Sequence, residues 1–231
     1  MKQRIKIHGL LIFFSVLAII VFPKVFLRLG HPTFSDYLLS TLGIAFVLLG
    51  QIFRLSSRGF KSSQSKNGGA LVEGGSYSLV RNPMYLGIFL IGLGLVMMLF
   101  KWWAIAIFLI FFVLIYIRLI FQEEKKLLQV FPGVYQAYRA KVPALIPSFK
   151  MLAKTEVSVY LPLKFSWIER EIGSISAVLS FAILVRSWEN FIGGGRIFCI
   201  QRLVVLLMMI ILAIGLAAYL IKKTNENTKS L

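Results

Sequence analysis

Apolar residues come in six long blocks separated by polar segments: Gly9 to Leu27, Tyr37 to Phe53, Met84 to Phe100, Trp102 to Phe121, Ile172 to Val185 and Leu203 to Ile221. A helix needs about 20 predominantly apolar residues, and at least about 17, to cross the hydrocarbon of a bilayer. Five blocks reach that length. The block from Ile172 has only 14 residues before Arg186, so spanning, lying at the interface, and entering and returning all stay open. The pattern predicts an all-α integral membrane protein, a bundle of five to six transmembrane helices forming a single membrane domain over residues 1–231. Only Lys101 separates the third and fourth blocks, which predicts a tight helical hairpin over 84–121 with Trp102 and Trp103 at the outer interface. The first block follows Lys2, Arg4 and Lys6 as a secretory signal would, yet Ile20-Val21-Phe22-Pro23-Lys24 offers no small-x-small cleavage site. An uncleaved first helix is expected.

Composition agrees: 58% of residues are hydrophobic and 15% charged, against about 25% charged in a soluble domain. A soluble enzyme, a disordered tail and a disulfide scaffold are excluded, the last because Cys199 is the single cysteine. The formal charge of +17 would point to nucleic acid in a soluble protein. Its location decides otherwise. With six spans and the N-terminus inside, nineteen of the 26 Lys and Arg fall on inner segments and six on outer ones, with Arg118 inside a span. That asymmetry places both termini in the cytosol and makes anionic lipid headgroups the partner of the charge, with no nucleic acid. The expected location is a multi-pass protein of a bacterial inner membrane, with the endoplasmic reticulum as the alternative.

Two polar segments meet on the cytosolic side of the hairpin. One runs from Arg54 to Pro83, is rich in Ser and Gly, and ends in Gly75-Ser76-Tyr77-Ser78-Leu79-Val80-Arg81-Asn82-Pro83-Met84-Tyr85. Pro83 suits the first position of the helix and Asn82 its N-cap, leaving unpaired N–H groups and partial positive charge beside the Arg81 fork. The reading is either a plain capped helix start at the lipid interface or a ligand site. The other segment begins at Gln122 and carries Glu123 and Glu124, then Phe131-Pro132-Gly133, a break, then Tyr135 and Tyr138 three apart on one helical face beside Arg139. At 100° per residue Glu123 shares a face with Tyr116 and Leu127, while Glu124 falls with Ile117 and Leu128. The two carboxylates therefore cannot both face one pocket: one is expected to bind a ligand, the other to pair with Arg118, a lysine or another helix. Arg118 follows sixteen apolar residues, a costly place unless it snorkels or is paired.

The run R-N-P-M-Y-L-G after G-G-S-Y-S-L-V, the tight hairpin, then E-E-K-K-L-L-Q-V-F-P-G-V-Y-Q-A-Y and V-P-A-L-I-P resemble the isoprenylcysteine carboxyl methyltransferase and phospholipid methyltransferase family of integral membrane enzymes. The resemblance covers residues 74–147. It departs from the family where Asn82 takes a position that is often His, where Pro132 stands in place of a common Gly, and where Ala144 replaces a frequent basic residue. What it implies is S-adenosylmethionine as methyl donor, bound in a cytosolic segment, and a small lipophilic acceptor (carboxylate, amine or thiol) entering from the bilayer. Arg81, Asn82, Tyr85 and Glu124 would then be catalytic. Tyr77, Arg81, Asn82, Pro83, Tyr85, Glu123, Glu124, Tyr135, Tyr138 and Arg139 would line the donor site.

The residue types suit that donor. A carboxylate can take its ribose hydroxyls or amino group, a cation its carboxylate, and aromatic walls its sulfonium. Methyl transfer from a sulfonium needs no metal, and His8, His31 and Cys199 stand at no ligand spacing, so no metal site is expected. Residues 151–231 form a C-terminal extension that either sets acceptor specificity or completes the bundle, the second being preferred. Two other classes remain: a membrane-embedded reductase using a nicotinamide cofactor, and a non-enzymatic membrane subunit or transporter. Gly87, Gly92 and Gly94 lie in an apolar helix with no preceding strand, and so read as close helix packing and not as a dinucleotide loop.

Overall fold

The computed structural model describes residues 21–28, 33–65, 69–147 and 157–173, together with separate helical positions between 175 and 226. Most of the first, fifth and sixth apolar blocks, both termini, His8, His31 and Cys199 lie outside the described residues. Within them the protein is all-α: α1 (Pro23–Phe26), α2 (Phe34–Gln64), α3 (Ser76–Leu79), α4 (Pro83–Leu99), α5 (Trp102–Val130), α6 (Val134–Lys141) and α7 (Val157–Tyr160). Two of these, α2 and α5, are long and apolar enough to cross a membrane, and α4 is a shorter apolar helix of 17 residues.

Apolar blocks mark helices whose true ends lie elsewhere. The block from Tyr37 to Phe53 belongs to a 31-residue helix that starts three residues earlier, where the Asp36 carboxylate accepts hydrogen bonds from the Thr33 N–H (2.8 Å) and hydroxyl (2.6 Å). The end of the first block is not one continuous helix as expected. Phe22 leaves the helical region before Pro23, whose ring disfavours helical backbone in the preceding residue. The hairpin is as tight as predicted: α4 stops at Leu99, Phe100 and Lys101 turn the chain, and α5 begins at Trp102, which is 76% exposed. At this end Leu27 bridges Phe100, and the Arg28 guanidinium donates to the carbonyls of Phe100 (2.6 Å) and Met97 and pairs with Asp36 at 3.3 Å. A cation on the last carbonyls of α4 complements the negative end of that helix.

Glycines set the antiparallel register of α2 and α4. A Cβ on Gly50 would lie 2.7 Å from the Gly87 carbonyl oxygen, and one on Gly87 would lie 2.8 Å from that of Gly50. Seven residues along each helix, Gly43 and Gly94 repeat the reciprocal contact. Gly92 meets the Phe108 ring on α5, so the packing role read for Gly87, Gly92 and Gly94 is the one observed. The C-terminal extension seats on α2: Trp167 covers Gly59, Glu171 pairs with Arg58 (2.6 Å) and Arg54 (3.5 Å), and Tyr160, Leu161 and Leu163 join Ile52, Leu55 and Leu79 in one core. The described start of the extension thus packs against α2 and α3.

Candidate functional site

The polar end of the α4–α5 hairpin gathers the residues singled out by sequence. Before α4 the chain is extended at Val80, so Arg81 and Asn82 can hydrogen-bond sideways, their N–H groups donating to the carbonyls of Pro143 (2.8 Å) and Ala144 (3.1 Å). Two prolines, Pro143 and Pro147, keep that partner segment from turning helical after α6. The loop before α4 and the segment after α6 are thereby laced together across the hairpin.

Glu124 sits at the centre. Its carboxylate is buried, with a side chain 6% exposed, and accepts from Arg81 Nε and Nη2, each at 3.0 Å from Oε1. Arg139, half exposed, lies 3.9 Å from Oε2, and Asn82 Nδ2 lies 3.4 Å from Oε1. The remaining Arg81 nitrogen, Nη1, donates to the carbonyls of Arg139 (2.9 Å) and Val142 (3.1 Å). The geometry thus divides the two glutamates as their helical phase requires. Glu124 pairs with the polar segments, and Glu123 is exposed on the face toward Tyr85, with which its carboxylate interacts. Glu124 pairs not with Arg118 or a lysine of its own helix but with Arg81, 43 residues away in sequence.

Asn82 occupies the N-cap position of α4 without a side-chain cap bond, because its amide nitrogen turns instead to Glu124 and to the Ala144 carbonyl at 3.2 Å. The first turn of α4, opening at buried Pro83, keeps its capping position free of any side-chain acceptor.

Gly133, at φ 80°, makes the reversal from α5 to α6. Tyr135 and Tyr138 then turn inward, 1% and 5% exposed, with ring centroids 5.9 Å apart. The Tyr138 hydroxyl donates to the Tyr77 carbonyl at 2.6 Å, fixing α6 to α3. The Tyr135 hydroxyl is buried beside the Glu124 carboxylate. Burial, reinforced by the nearby Glu124 charge, pushes this phenol up to about 12. Burial raises Tyr77 and Tyr138 further still, with Glu123 adding to the first and the neighbouring tyrosines to the second. All three are neutral at physiological pH.

Away from the charged end, Tyr85 meets Tyr116 edge-on at 5.6 Å, Tyr116 stacks on Phe112 at 4.3 Å, and Phe89 tilts against Phe112 at 4.8 Å. This aromatic row climbs from the charged end along the α4–α5 seam. Sequence reading missed three contributors: the carbonyls of Val142, Pro143 and Ala144, the wall residue Tyr116, and the Ser57–Ser76 hydroxyl contact (3.0 Å) that ties α2 to α3 behind the site. The carbonyls could have been suspected from V-P-A-L-I-P, since extended segments beside prolines expose their acceptors. Among the described residues no group of His, Cys, Asp and Glu is placed to hold a metal ion.

Comparison with known proteins shows what the chain is similar to. The profile of the phospholipid methyltransferase family matches residues 24–133, ending just before α6. The protein-S-isoprenylcysteine O-methyltransferase of Schizosaccharomyces pombe is 34% identical over 140 residues, covering 54% of this chain and 58% of that protein. The chain therefore spans less than two thirds of that relative's length. The cobalt-zinc-cadmium resistance protein CzcN of Cupriavidus metallidurans is 29% identical over 182 residues, covering 77% of this chain and 81% of that protein. No solved structure matches the chain.

Proposed function

From its family-level resemblance to the integral membrane methyltransferases of the phospholipid and isoprenylcysteine kind, we propose that the protein is an S-adenosylmethionine-dependent methyltransferase acting on a small lipophilic acceptor. The observation that carries the assignment of the site is the buried Arg81–Glu124 pair, which ties the loop before α4 to α5 and leaves half-exposed Arg139 beside it.

The residues fit that donor. Arg139 is the half-exposed cation left for a ligand carboxylate, since the Arg81 nitrogens are engaged by Glu124 and by two carbonyls. Glu123, exposed and in no ion pair among the described residues, is the carboxylate available to ribose hydroxyls or an amino group. Tyr85 and Tyr116 supply aromatic surface for a cationic centre. S-adenosylmethionine, when bound, supplies the electrophilic methyl group. Arg81, Asn82 and Glu124 then act by holding the loop before α4, the end of α5 and the segment after α6 in one arrangement, so the protein contributes positioning and exclusion of water. Pro83 sets the start of α4, and Tyr138 anchors α6 through the Tyr77 carbonyl.

Asn82 at the motif position offers no titrating group, and Tyr77, Tyr135 and Tyr138 are held neutral, which suits an acceptor that arrives already nucleophilic. A carboxylate, an amine or a thiolate meets that condition, with a prenylated carboxylate ahead of a phospholipid amine because the motif wording is nearer that branch. The acceptor enters laterally along the aromatic seam, and the site faces the cytosol in a multi-pass protein with cytosolic termini.

Calorimetric titration of the purified protein with S-adenosylmethionine, and separately with nicotinamide cofactors, tests the donor. Binding of the nicotinamide and not of S-adenosylmethionine would overturn the reading. Incubation of membranes with methyl-labelled donor then sorts the acceptor. Organic-phase label released by base as methanol indicates an ester, base-stable label an N- or S-methyl product, and label confined to water-soluble products would rule out lateral entry.

A further inference from the structure

Away from the site, α5 presents a second charged face. Its buried residues, Phe112, Ile120 and Glu124, lie on the side toward α4, whereas Phe111, Leu114 and Arg118 on the opposite side are exposed. At 100° per residue Arg118 and Lys125 are within about 20° of one another, Gln122 lies between them along the helix, and Glu124 is turned away by about 120°. Arg118 has no hydrogen bond or ion pair among the described residues, and no carboxylate shares its face. It follows sixteen apolar residues, about 24 Å of helix from Trp102, where the hydrocarbon of a bilayer is about 30 Å thick. A guanidinium at that depth reaches the headgroup level only by snorkelling, and an unpaired cation beside lipid is costly unless an anion meets it.

We propose that this outer face of α5 is a binding site for an anionic diacyl phospholipid. Its acyl chains lie along Phe111 and Leu114, and its phosphate is held by Arg118 with Gln122 and Lys125 one and two turns further on. Two cations with no acid on their face select a headgroup of net negative charge over a zwitterionic one. The lipid is not the methyl acceptor, since Glu123 and the aromatic seam are on other faces of the helix. The proposal rests on the membrane reading of α5 and not on the methyltransferase assignment.

The test is native mass spectrometry of the full chain titrated with phosphatidylglycerol or phosphatidylcholine, with inorganic phosphate as competitor. Phosphatidylglycerol should bind with at least about fivefold preference, the worth of one cation near an anionic surface. Arg118→Gln should remove that preference while binding of S-adenosylmethionine, followed in parallel, stays at its wild-type value. Lys141→Gln, a cation on α6 outside this face, should leave the preference intact. If Arg118→Gln fails to accumulate, Lys125→Gln gives the same readout with a smaller loss. No preference in the wild type, or a preference that survives both α5 substitutions, overturns the proposal. Displacement of the lipid by millimolar phosphate would overturn it too, by showing an anion site that does not need acyl chains.

Discussion

Two adjacent carboxylates on α5 live in different surroundings, and the difference is measurable. Glu124 answers a buried guanidinium, with side chains 6% and 10% exposed, so removing either partner strands the other charge. Such losses cost roughly 3–5 kcal/mol. Glu124→Gln and Arg81→Ala should each lower the thermal stability of the detergent-solubilised protein by that order, while the double variant costs clearly less than their sum. Glu123→Gln should stay within about 0.5 kcal/mol in stability, as exposed substitutions do, yet weaken donor binding by roughly 1.5–3 kcal/mol. Equal melting behaviour of the Glu123 and Glu124 variants would contradict this division. Tyr135 gives a second measurement. Its phenol ionises near 10 unfolded and at about 12 folded, so the folded state prefers the protonated form. That preference is complete below pH 10 and is lost as pH rises toward 12, so stability should fall across this window. Unfolding followed through tyrosinate absorbance should show the fall, and Tyr135→Phe should make it shallower by one group's share, Tyr77 and Tyr138 supplying the rest. That the two glutamates face different ways was legible from their phase on the helix. That Arg81 is the partner was not, because nothing local encodes a contact between residues 43 positions apart.

Among the elements, hydropathy reported where lipid is expected and not where helices end. The hairpin turn at Lys101 and the start of α4 at Pro83 could be read because a lone charge and a proline punctuate the pattern. The continuation of α5 to Val130 could not be read from hydropathy, since Glu124 to Gln129 are polar or mixed in hydropathy while remaining good helix formers. Likewise the Thr33–Asp36 cap lies ahead of the apolar block it initiates. Glycines differ by the reason each is needed. A Cβ on Gly50 would lie 2.7 Å from the Gly87 carbonyl oxygen and 2.8 Å from the Ile91 backbone nitrogen, so Gly50→Leu should force α2 and α4 apart and cost about 1–3 kcal/mol or more. A Cβ on Gly133 would meet nothing within 4 Å, yet the φ of 80° makes Gly133→Ala cost about 1–2 kcal/mol through backbone strain alone. Chemical unfolding should rank the two, and cross-linking between α2 and α4 should weaken only in the first. The sequence placed glycines in a packing role, but their partners on α2 emerged only from the register of two antiparallel helices.

At the level of the whole molecule, the two ends of the α2–α4–α5 assembly carry different chemistry. At one end Arg28 is consumed by helix-end carbonyls and Asp36, and Lys101 by the Lys24 carbonyl at 2.7 Å. At the other, Arg54, Arg58, Arg81 and Arg139 surround the candidate site and the seat of the C-terminal extension. Basic residues are retained on the cytosolic side during insertion, so the end with more of them is expected to face inward. Ser63, exposed one helical turn beyond Gly59 on α2, marks the inner end, and Ser35, exposed at the start of the same helix, marks the outer one. In a Cys199→Ser background, Ser35→Cys should react in intact cells with a membrane-impermeant maleimide. Ser63→Cys should react only with a permeant one or after lysis. Because one helix carries both reporters, a spanning α2 requires opposite answers from them. Reaction of both from outside would mean that α2 does not cross the bilayer. Reversed labelling would put Glu124, Arg139 and Tyr135 outside the cell, where a cytosolic methyl donor cannot reach them.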